Sequence, residues 1–231
     1  MKDNKTLTIG LIATLVAFVA IGFIVYMGLV RQAPPPTPME AVPIADVNPG
    51  NNIYEIVPEE SEARFILNEV LRGVDTTVVG TTNEVVGQLA FSANNIYEVQ
   101  VGSILINART LTTDNNFRNN ALRNDILFVS QYEFITFTPT SFSEIEVDTA
   151  VSPGEGLTFT ISGDLTIRDV TQPVTFSVSA RYAESGDQVT GMATTTIQRS
   201  DFQLEIPTVS GVADVDEEVK LEFEFVARPV E

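Results

Sequence analysis

The sequence predicts an all-β domain, an antiparallel sandwich or closed barrel of about eight or nine strands, behind one N-terminal transmembrane helix. Between about Asn51 and Val226, apolar and polar residues alternate with a period of two in most segments, as in strands with one dry and one wet face. Turn residues separate these segments, and no strand–helix–strand rhythm indicates a parallel sheet. The last segment is typical, because Leu221, Phe223 and Phe225 alternate with glutamates.

The N-terminus carries the clearest physical signal, a run of 24 uncharged residues at positions 7–30. About 20 helical residues cross a hydrocarbon core about 30 Å thick, so we predict a transmembrane anchor helix over this run. Lys2 and Lys5 precede it and only Arg31 follows closely. The positive-inside rule therefore predicts that residues 1–6 are cytoplasmic and that everything after the helix is extracytoplasmic.

The predicted location is thus the cell membrane, with a single pass. A cleaved signal peptide, which would make the protein secreted, is the alternative. The apolar run is long for a signal peptide, and no A-x-A-like cleavage site follows it.

A proline-rich stretch, residues 31–51, follows the predicted anchor and is typical of an extended, semi-rigid linker. It leaves residues 52–231 as the folded domain.

The chain after the predicted anchor is strongly acidic. Three of the 13 basic residues and one of the 31 acidic residues precede Gln32, so the rest of the chain carries 10 basic and 30 acidic residues, a net charge of −20. Such an acidic domain is a poor candidate for binding nucleic acid.

The chain has no cysteine and no histidine. This excludes disulfides and thiolate nucleophiles, and it removes the commonest general base and metal ligand. The acidic run 214–218 lacks the central glycine and late glutamate of an EF-hand, so it predicts a solvated turn before the last strand. No phosphate-binding glycine loop or nucleophile elbow is present. We therefore predict no metal site, no catalytic residue and no cofactor.

Nine segments have the enrichment in β-branched and aromatic residues that is typical of strands. They are residues 53–57, 63–70, 84–92, 97–111, 133–142, 157–167, 173–182, 189–198 and 219–227. Arg168 and Asp169 separate two of these segments and predict a hairpin turn.

Residues 113–127 break the strand pattern and predict a short helix inserted between strands. Thr113 and Asp114 precede the insertion as candidate caps. The residues at helical spacing are Phe117, Ala121 and Leu122.

Two stretches carry a resemblance to a known family. GDLTIRDVTQPVTF, residues 163–176, resembles the G-x-L-T-I-x-G-V-T-x-P-V hairpin of the YceI-like family. Residues 121–142 resemble the helix end and following strand of that family. Weaker matches extend the resemblance, in the right order, over nearly all of residues 52–227.

The sequence departs from the family pattern in three places. Asp169 stands where glycine is usual, and Glu133–Phe134 replaces a tyrosine–proline junction. Asn68–Glu69 stands near the position of a family histidine, so no role of that histidine can be carried over.

The resemblance implies a lipocalin-like antiparallel β-barrel of about eight strands with an elongated apolar tunnel. Family members hold polyisoprenoids or other long-chain amphiphiles there, including isoprenoid quinones. Barrels of this size can be filled by side chains or can hold one small ligand. The candidate lining residues are Phe65, Leu89, Phe91, Phe137, Phe159, Ile161, Leu165, Phe176, Val178, Phe223 and Phe225.

Three arginines are candidates for contact with a lipid headgroup, because a guanidinium donates two hydrogen bonds to a phosphate at once. They are Arg109, Arg118 and Arg123. Nearby carboxylates such as Asp114 and Asp125 are the alternative partners for these side chains.

The favoured function is a membrane-tethered extracytoplasmic protein that binds an isoprenoid or similar lipid for storage, shielding or transfer. The alternative is a filled-core β-domain that acts through its surface in adhesion or assembly. An enzyme acting on a lipid inside the tunnel is the least favoured interpretation. The expected partners are an amphiphilic lipid and, through the N-terminal helix, the membrane; a homodimer is left open.

Overall fold

The computed structural model describes residues 38–92, 95–143, 154, 156–208 and 210–230. In this part the chain is all-β and antiparallel with one short α-helix, which confirms the predicted class. The predicted anchor helix and the first part of the predicted linker lie outside the described residues. Among the described residues, no helix reaches the length and hydropathy needed to cross a bilayer.

Thirteen strands form one sheet. They are β1 (Asn52–Ile56), β2 (Glu62–Leu71), β3 (Val74–Thr82), β4 (Val85–Val86), β5 (Gln88–Ser92), β6 (Asn95–Val101), β7 (Ile104–Asn107), β8 (Phe134–Phe142), β9 (Gly156–Ile167), β10 (Val170–Tyr182), β11 (Val189–Gln198), β12 (Val212–Ala213) and β13 (Glu218–Pro229). Three 3-10 helices lie between strands: Pro58–Glu60, Ala108–Thr110 and Arg199–Phe202.

The sheet curls because its longest strands pair with different neighbours along their length. Its main path runs β4-β7-β8-β9-β10-β11-β13-β1-β5-β6. Near its start, strand β13 pairs with β2, and Lys220 lies opposite Ile66. Near its end, β13 pairs with β1, and Ala227 lies opposite Ile56. Strand β2 also pairs with β3 and with β12. The result is a curled half-barrel around an apolar core, to which most strands contribute.

Two predicted segments are each divided in the structure. A break at Gly87 divides segment 84–92 into β4 and β5, and a break at Gly102 divides segment 97–111 into β6 and β7. Strand β3 was missed by the sequence analysis, because its buried positions are Val78, Gly80 and Thr82, which show no apolar alternation. A two-residue turn, Arg72–Gly73, joins it to β2 with φ of 52° and 81°, the left-handed conformation that tight hairpins need.

The predicted helical insertion is confirmed as α1 (Asn116–Ala121), followed by a π-helix (Leu122–Ile126). The N-cap differs from the prediction, since neither Thr113 nor Asp114 is the residue that caps α1. The Asn115 side chain instead accepts hydrogen bonds from the backbone N–H groups of the first turn, at 2.9 Å and 3.3 Å. Asparagine at this position satisfies donors that have no partner within the helix.

The helical segment packs against two hairpins, and together they form what we term the helical end of the domain. The predicted turn at Arg168–Asp169 is confirmed between β9 and β10. The Arg168 guanidinium donates a hydrogen bond to the Ile126 carbonyl at 3.1 Å. From the β2–β3 hairpin, Glu69 pairs with Arg118 of α1 at 2.6 Å.

The acidic run 214–218 precedes β13 and contacts the 3-10 helix Arg199–Phe202. Glu217 accepts a hydrogen bond from the backbone N–H of Ser200 at 2.6 Å and pairs with the Arg199 guanidinium at 3.0 Å. The hydrogen bonds from Ser200, with the charge of Arg199, hold the pKa of Glu217 below its usual range. Within the described residues, no group of three acidic side chains is placed to hold a metal.

Part of the predicted linker is docked on the domain. Residues 42–51, termed the docked linker, lie along strand β6. The side chain of Gln100 in β6 accepts a hydrogen bond from the Asn48 backbone N–H at 2.7 Å and donates one to the Asp46 carbonyl at 2.7 Å. The linker thus covers backbone groups at the exposed edge of the sheet, which would otherwise invite pairing with another chain.

Replacing Gln100 by leucine is expected to release the docked linker. Each hydrogen bond contributes about 1 kcal/mol, so we expect the amide of Asn48 to exchange its hydrogen at least about ten-fold faster, as measured by hydrogen–deuterium exchange. Gln172→Leu is the matched control, because that side chain bonds the Asp201 carbonyl elsewhere on the domain. Equal exchange in the Gln100 variant and the control would contradict docking through this side chain.

Candidate functional site

A cavity of about 180 Å³ lies inside the curled sheet. Its wall is almost wholly apolar, as is typical of sites that bind apolar molecules. Ten of the eleven predicted lining residues lie on this wall: Phe65, Leu89, Phe137, Phe159, Ile161, Leu165, Phe176, Val178, Phe223 and Phe225. The structure thus brings together residues from six strands that are far apart in sequence, while their role in binding a ligand stays a prediction.

Further apolar residues complete the wall without having been predicted. They are Ile56, Ala63, Val101, Ile104, Ile106, Leu111, Ile135, Ile167, Ala193 and Leu221. Many continue an alternation that the sequence already showed, as Ile135 does before Phe137 and Leu221 before Phe223. Their common face could therefore have been found from the period of two alone.

Phe91 is the one predicted lining residue that lies outside the cavity. It shares a face with Leu89 but lies two residues farther along β5, in a second, smaller apolar cluster. Its ring stacks on Tyr54 at 4.7 Å between centroids and meets Tyr182 edge-on at 5.3 Å. Burial, with a hydrogen bond to Tyr182, raises the pKa of Tyr54 far above its usual range. Alternation identifies the face of a strand but not the position along it, so it did not distinguish Phe91 from the residues of the cavity wall.

Three phenylalanines of the wall lie against glycines of the neighbouring strands. Phe65 lies over Gly80 and Phe225 over Gly191, and in each pair the two residues face each other across the sheet. Phe137 lies over Gly163 in the same way. A Cβ atom added at any of these glycines would overlap the ring. Because glycine has no side chain, the rings can lie close against the backbone of the neighbouring strand.

Replacing Gly80 by alanine is expected to push the Phe65 ring into the cavity, because the three atoms nearest to the new methyl group all belong to that ring. We expect the amount of lipid that copurifies per protein molecule to fall at least about three-fold, as measured by mass spectrometry. Adding Phe65→Leu should restore it. Gly156→Ala is the matched control, since the closest atom there is a carbonyl oxygen at 3.8 Å; an equal loss in both single variants would contradict the argument.

None of the three predicted headgroup arginines is among the residues of the cavity wall. Arg109 pairs with Glu133 at 3.5 Å. Arg123 lies 3.4 Å from the Asn120 side-chain oxygen. A headgroup role for these residues stays a prediction, and for Arg109 it would require the ion pair to break.

Arg118 is held by two carboxylates. Its guanidinium lies 2.6 Å from Glu69, whose side chain is only 7% exposed, and 2.7 Å from Asp114, which is 86% exposed. Glu69 occupies the region where the family histidine was expected, and the contact shows what this chain places there instead. The pair ties α1 to strand β2.

Two charged residues that the sequence analysis missed border the cavity, Arg64 in β2 and Glu222 in β13. Their side chains approach to 3.1 Å across the two strands. Arg64 also pairs with Glu224 at 2.9 Å and with Glu62 at 3.4 Å. Strand alternation places Arg64 on the face opposite Phe65, so no pattern in the sequence could have placed it beside the cavity.

Comparison with known families agrees with this fold. The profile of the YceI-like domain matches residues 54–227, the whole span from strand β1 to strand β13. The chain belongs to the YceI-like domain family. No curated protein matches the sequence.

Solved structures show the same YceI-like fold at low sequence identity. A polyisoprenoid-binding domain from Saccharophagus degradans, implicated in plant cell wall breakdown, has a TM-score of 0.59 and 16% identity; the match covers 77% of this chain and 98% of that one. BcnA of Burkholderia cenocepacia has a TM-score of 0.57 and 19% identity, with coverage of 74% and 98%. At such identity the likeness shows the fold alone.

Proposed function

We propose that this YceI-like protein is a membrane-tethered, extracytoplasmic carrier that holds a polyisoprenoid or similar long-chain amphiphile inside its curled half-barrel. The observation that carries the proposal is the apolar cavity at the centre of the fold. Membership of a family with polyisoprenoid-binding representatives supports lipid as the ligand class.

The cavity suits a ligand that is recognised by burial. Each 100 Å² of apolar lipid surface removed from water contributes about 2.5 kcal/mol, at about 25 cal/mol per Å². Phenylalanine and branched aliphatic side chains form nearly the whole wall. Such a wall favours a flexible hydrocarbon chain, and it selects little for the chemistry of a headgroup.

The predicted anchor determines how such a carrier would work. A carrier fixed to one membrane can sample the lipids of that membrane, but it cannot diffuse across a gap. Local presentation, shielding or storage of the lipid is therefore favoured over long-distance transfer. Extraction of cell membranes at alkaline pH tests the anchor, because an integral protein stays with the membrane and a secreted one does not.

The ligand is tested by purifying the fragment 38–231 from cells, denaturing it, extracting it with organic solvent and analysing the extract by mass spectrometry. One stoichiometric isoprenoid or quinone per chain is the expected result. An extract without lipid, repeated after incubation with membrane lipids, would contradict the proposal and favour a domain that acts through its surface.

A further inference from the structure

The helical end carries an unusually exposed aromatic side chain. Phe117 in α1 is 88% exposed, more than any other large apolar side chain in the described part of the chain. Phe128, just beyond the π-helix, is 42% exposed, and Val74 at the neighbouring hairpin is 64% exposed. A lone exposed apolar residue needs no explanation, but several at one end of a domain mark an interaction surface.

Phe128 is held outward by a specific local structure. Its φ is 48°, in the left-handed region that a bulky residue rarely adopts. The Arg168 guanidinium lies 5.3 Å from the centre of its ring, in cation–π contact. A strained residue held by a second side chain points to a function for its exposed position.

The docked linker leads toward the same end. From residue 51 back to residue 42 it lies first beside Glu98 and finally beside Gly102, so it follows β6 in the direction of that strand. Beyond Gly102 the chain continues through β7 and the 3-10 helix Ala108–Thr110 toward α1. The docked linker therefore approaches the helical end as it runs from residue 51 back to residue 42.

The length of the remaining linker fits this orientation. Eleven residues, 31–41, separate the predicted anchor from the docked linker, and they span at most about 38 Å when fully extended. The stretch from Gly102 to Thr110 covers at most about 26 Å, since strand rise applies only as far as Asn107 and the 3-10 helix that follows rises less per residue. The linker is thus long enough to reach past the helical end, and too short to carry the domain far from its membrane.

The cavity also reaches the helical end. Leu111, which follows the 3-10 helix there, and Ile167, which precedes the Arg168–Asp169 turn, are both part of its wall. A surface at this end would therefore lie next to the binding site as well as next to the membrane.

We propose that the helical end is a membrane-contact surface, at which Phe117 and Phe128 insert into the interface of the bilayer that carries the anchor. This inference rests on the proposed membrane tether. Asp114 and Asp169 are exposed at the same end, at 86% and 62%. The contact is therefore apolar rather than electrostatic, and it needs no anionic lipid.

A fluorescence experiment on the full chain tests the surface. The protein has no tryptophan, so Phe117→Trp introduces a single probe. The variant is reconstituted in phosphatidylcholine vesicles with plain or brominated acyl chains. We expect blue-shifted emission that the brominated lipid quenches at least about two-fold. Val230→Trp is the matched control, because Val230 is 50% exposed and lies at the opposite end, bonded to Ile53.

The outcomes separate the surface from the tether. If both variants float with the vesicles but brominated lipid quenches their emission equally and weakly, the tether is present and the proposed contact surface is wrong. If the variants do not float, both the proposed tether and the proposed contact surface are wrong. Lipid extracted from the fragment 38–231 would still support the carrier function in that case. Phe128→Trp is a second probe, expected to be quenched, should the first variant fold poorly.

Discussion

Replacing Ala193 by tryptophan is expected to abolish lipid copurification while leaving the fold intact. Ala193 is a small residue of β11 whose side chain is on the cavity wall and is buried. An indole at this position would occupy the space that a lipid chain needs. We expect the lipid recovered from purified protein to fall at least about ten-fold, as measured by mass spectrometry of the solvent extract.

Met192→Trp is the matched control, because Met192 is the adjacent residue on β11 and, by alternation, lies on the opposite face of the strand. It should keep its lipid. A larger side chain in a filled core usually costs about 1–3 kcal/mol, whereas a cavity can accept one. A large fall in the free energy of unfolding of the Ala193 variant, with no lipid in either wild type or control, would show that the core is effectively filled.

Replacing Arg118 by alanine is expected to lower the free energy of unfolding of the fragment 38–231 by about 3 kcal/mol. The substitution leaves the buried Glu69 carboxylate without its partner, and breaking a buried ion pair from one side costs about 3–5 kcal/mol. We place the effect at the lower end because Arg118 is 19% exposed and solvent screens the pair in part. Urea unfolding followed by far-ultraviolet circular dichroism measures it.

Two further variants test the cause. Asp114→Asn removes the other partner of Arg118, but Asp114 is 86% exposed, so we expect a loss below about 0.5 kcal/mol. In the double variant Glu69→Leu with Arg118→Met, apolar side chains replace both charges, and most of the stability should return. A double variant as unstable as Arg118→Ala alone would mean that the loss comes from packing of α1 and not from the unpaired charge.

The family and the cavity wall followed from local patterns. Alternation identified the dry faces because a strand turns each successive side chain to the opposite face. Phe65, Phe137 and Phe223 therefore reached the wall as predicted. The hairpin at Arg168–Asp169 and the helical insertion were equally local, since turn and capping chemistry act over a few residues.

Other features depended on distances that no local pattern reports. Phe91 has the right face, but it lies at the far end of β5, where Tyr54 fills the space. Arg118 was a candidate for a headgroup contact, with nearby carboxylates as the alternative partners, and the fold brings the carboxylate of Glu69 to it from 49 positions away. Residues 31–51 were predicted to be an extended, semi-rigid linker, and the docking of residues 42–51 was missed because its contacts with Gln100 join segments about 50 residues apart.

The sequence by itself determined the all-β class, the YceI-like resemblance, the apolar face and the acidic charge, because composition, period and turn residues are properties of neighbouring positions. Only the tertiary structure decided whether the dry faces meet or leave a cavity. That depends on how far the sheet curls and on whether rings such as Phe65 can lie flat against a glycine of the next strand. Strand register sets both, and register relates residues that are distant in the chain.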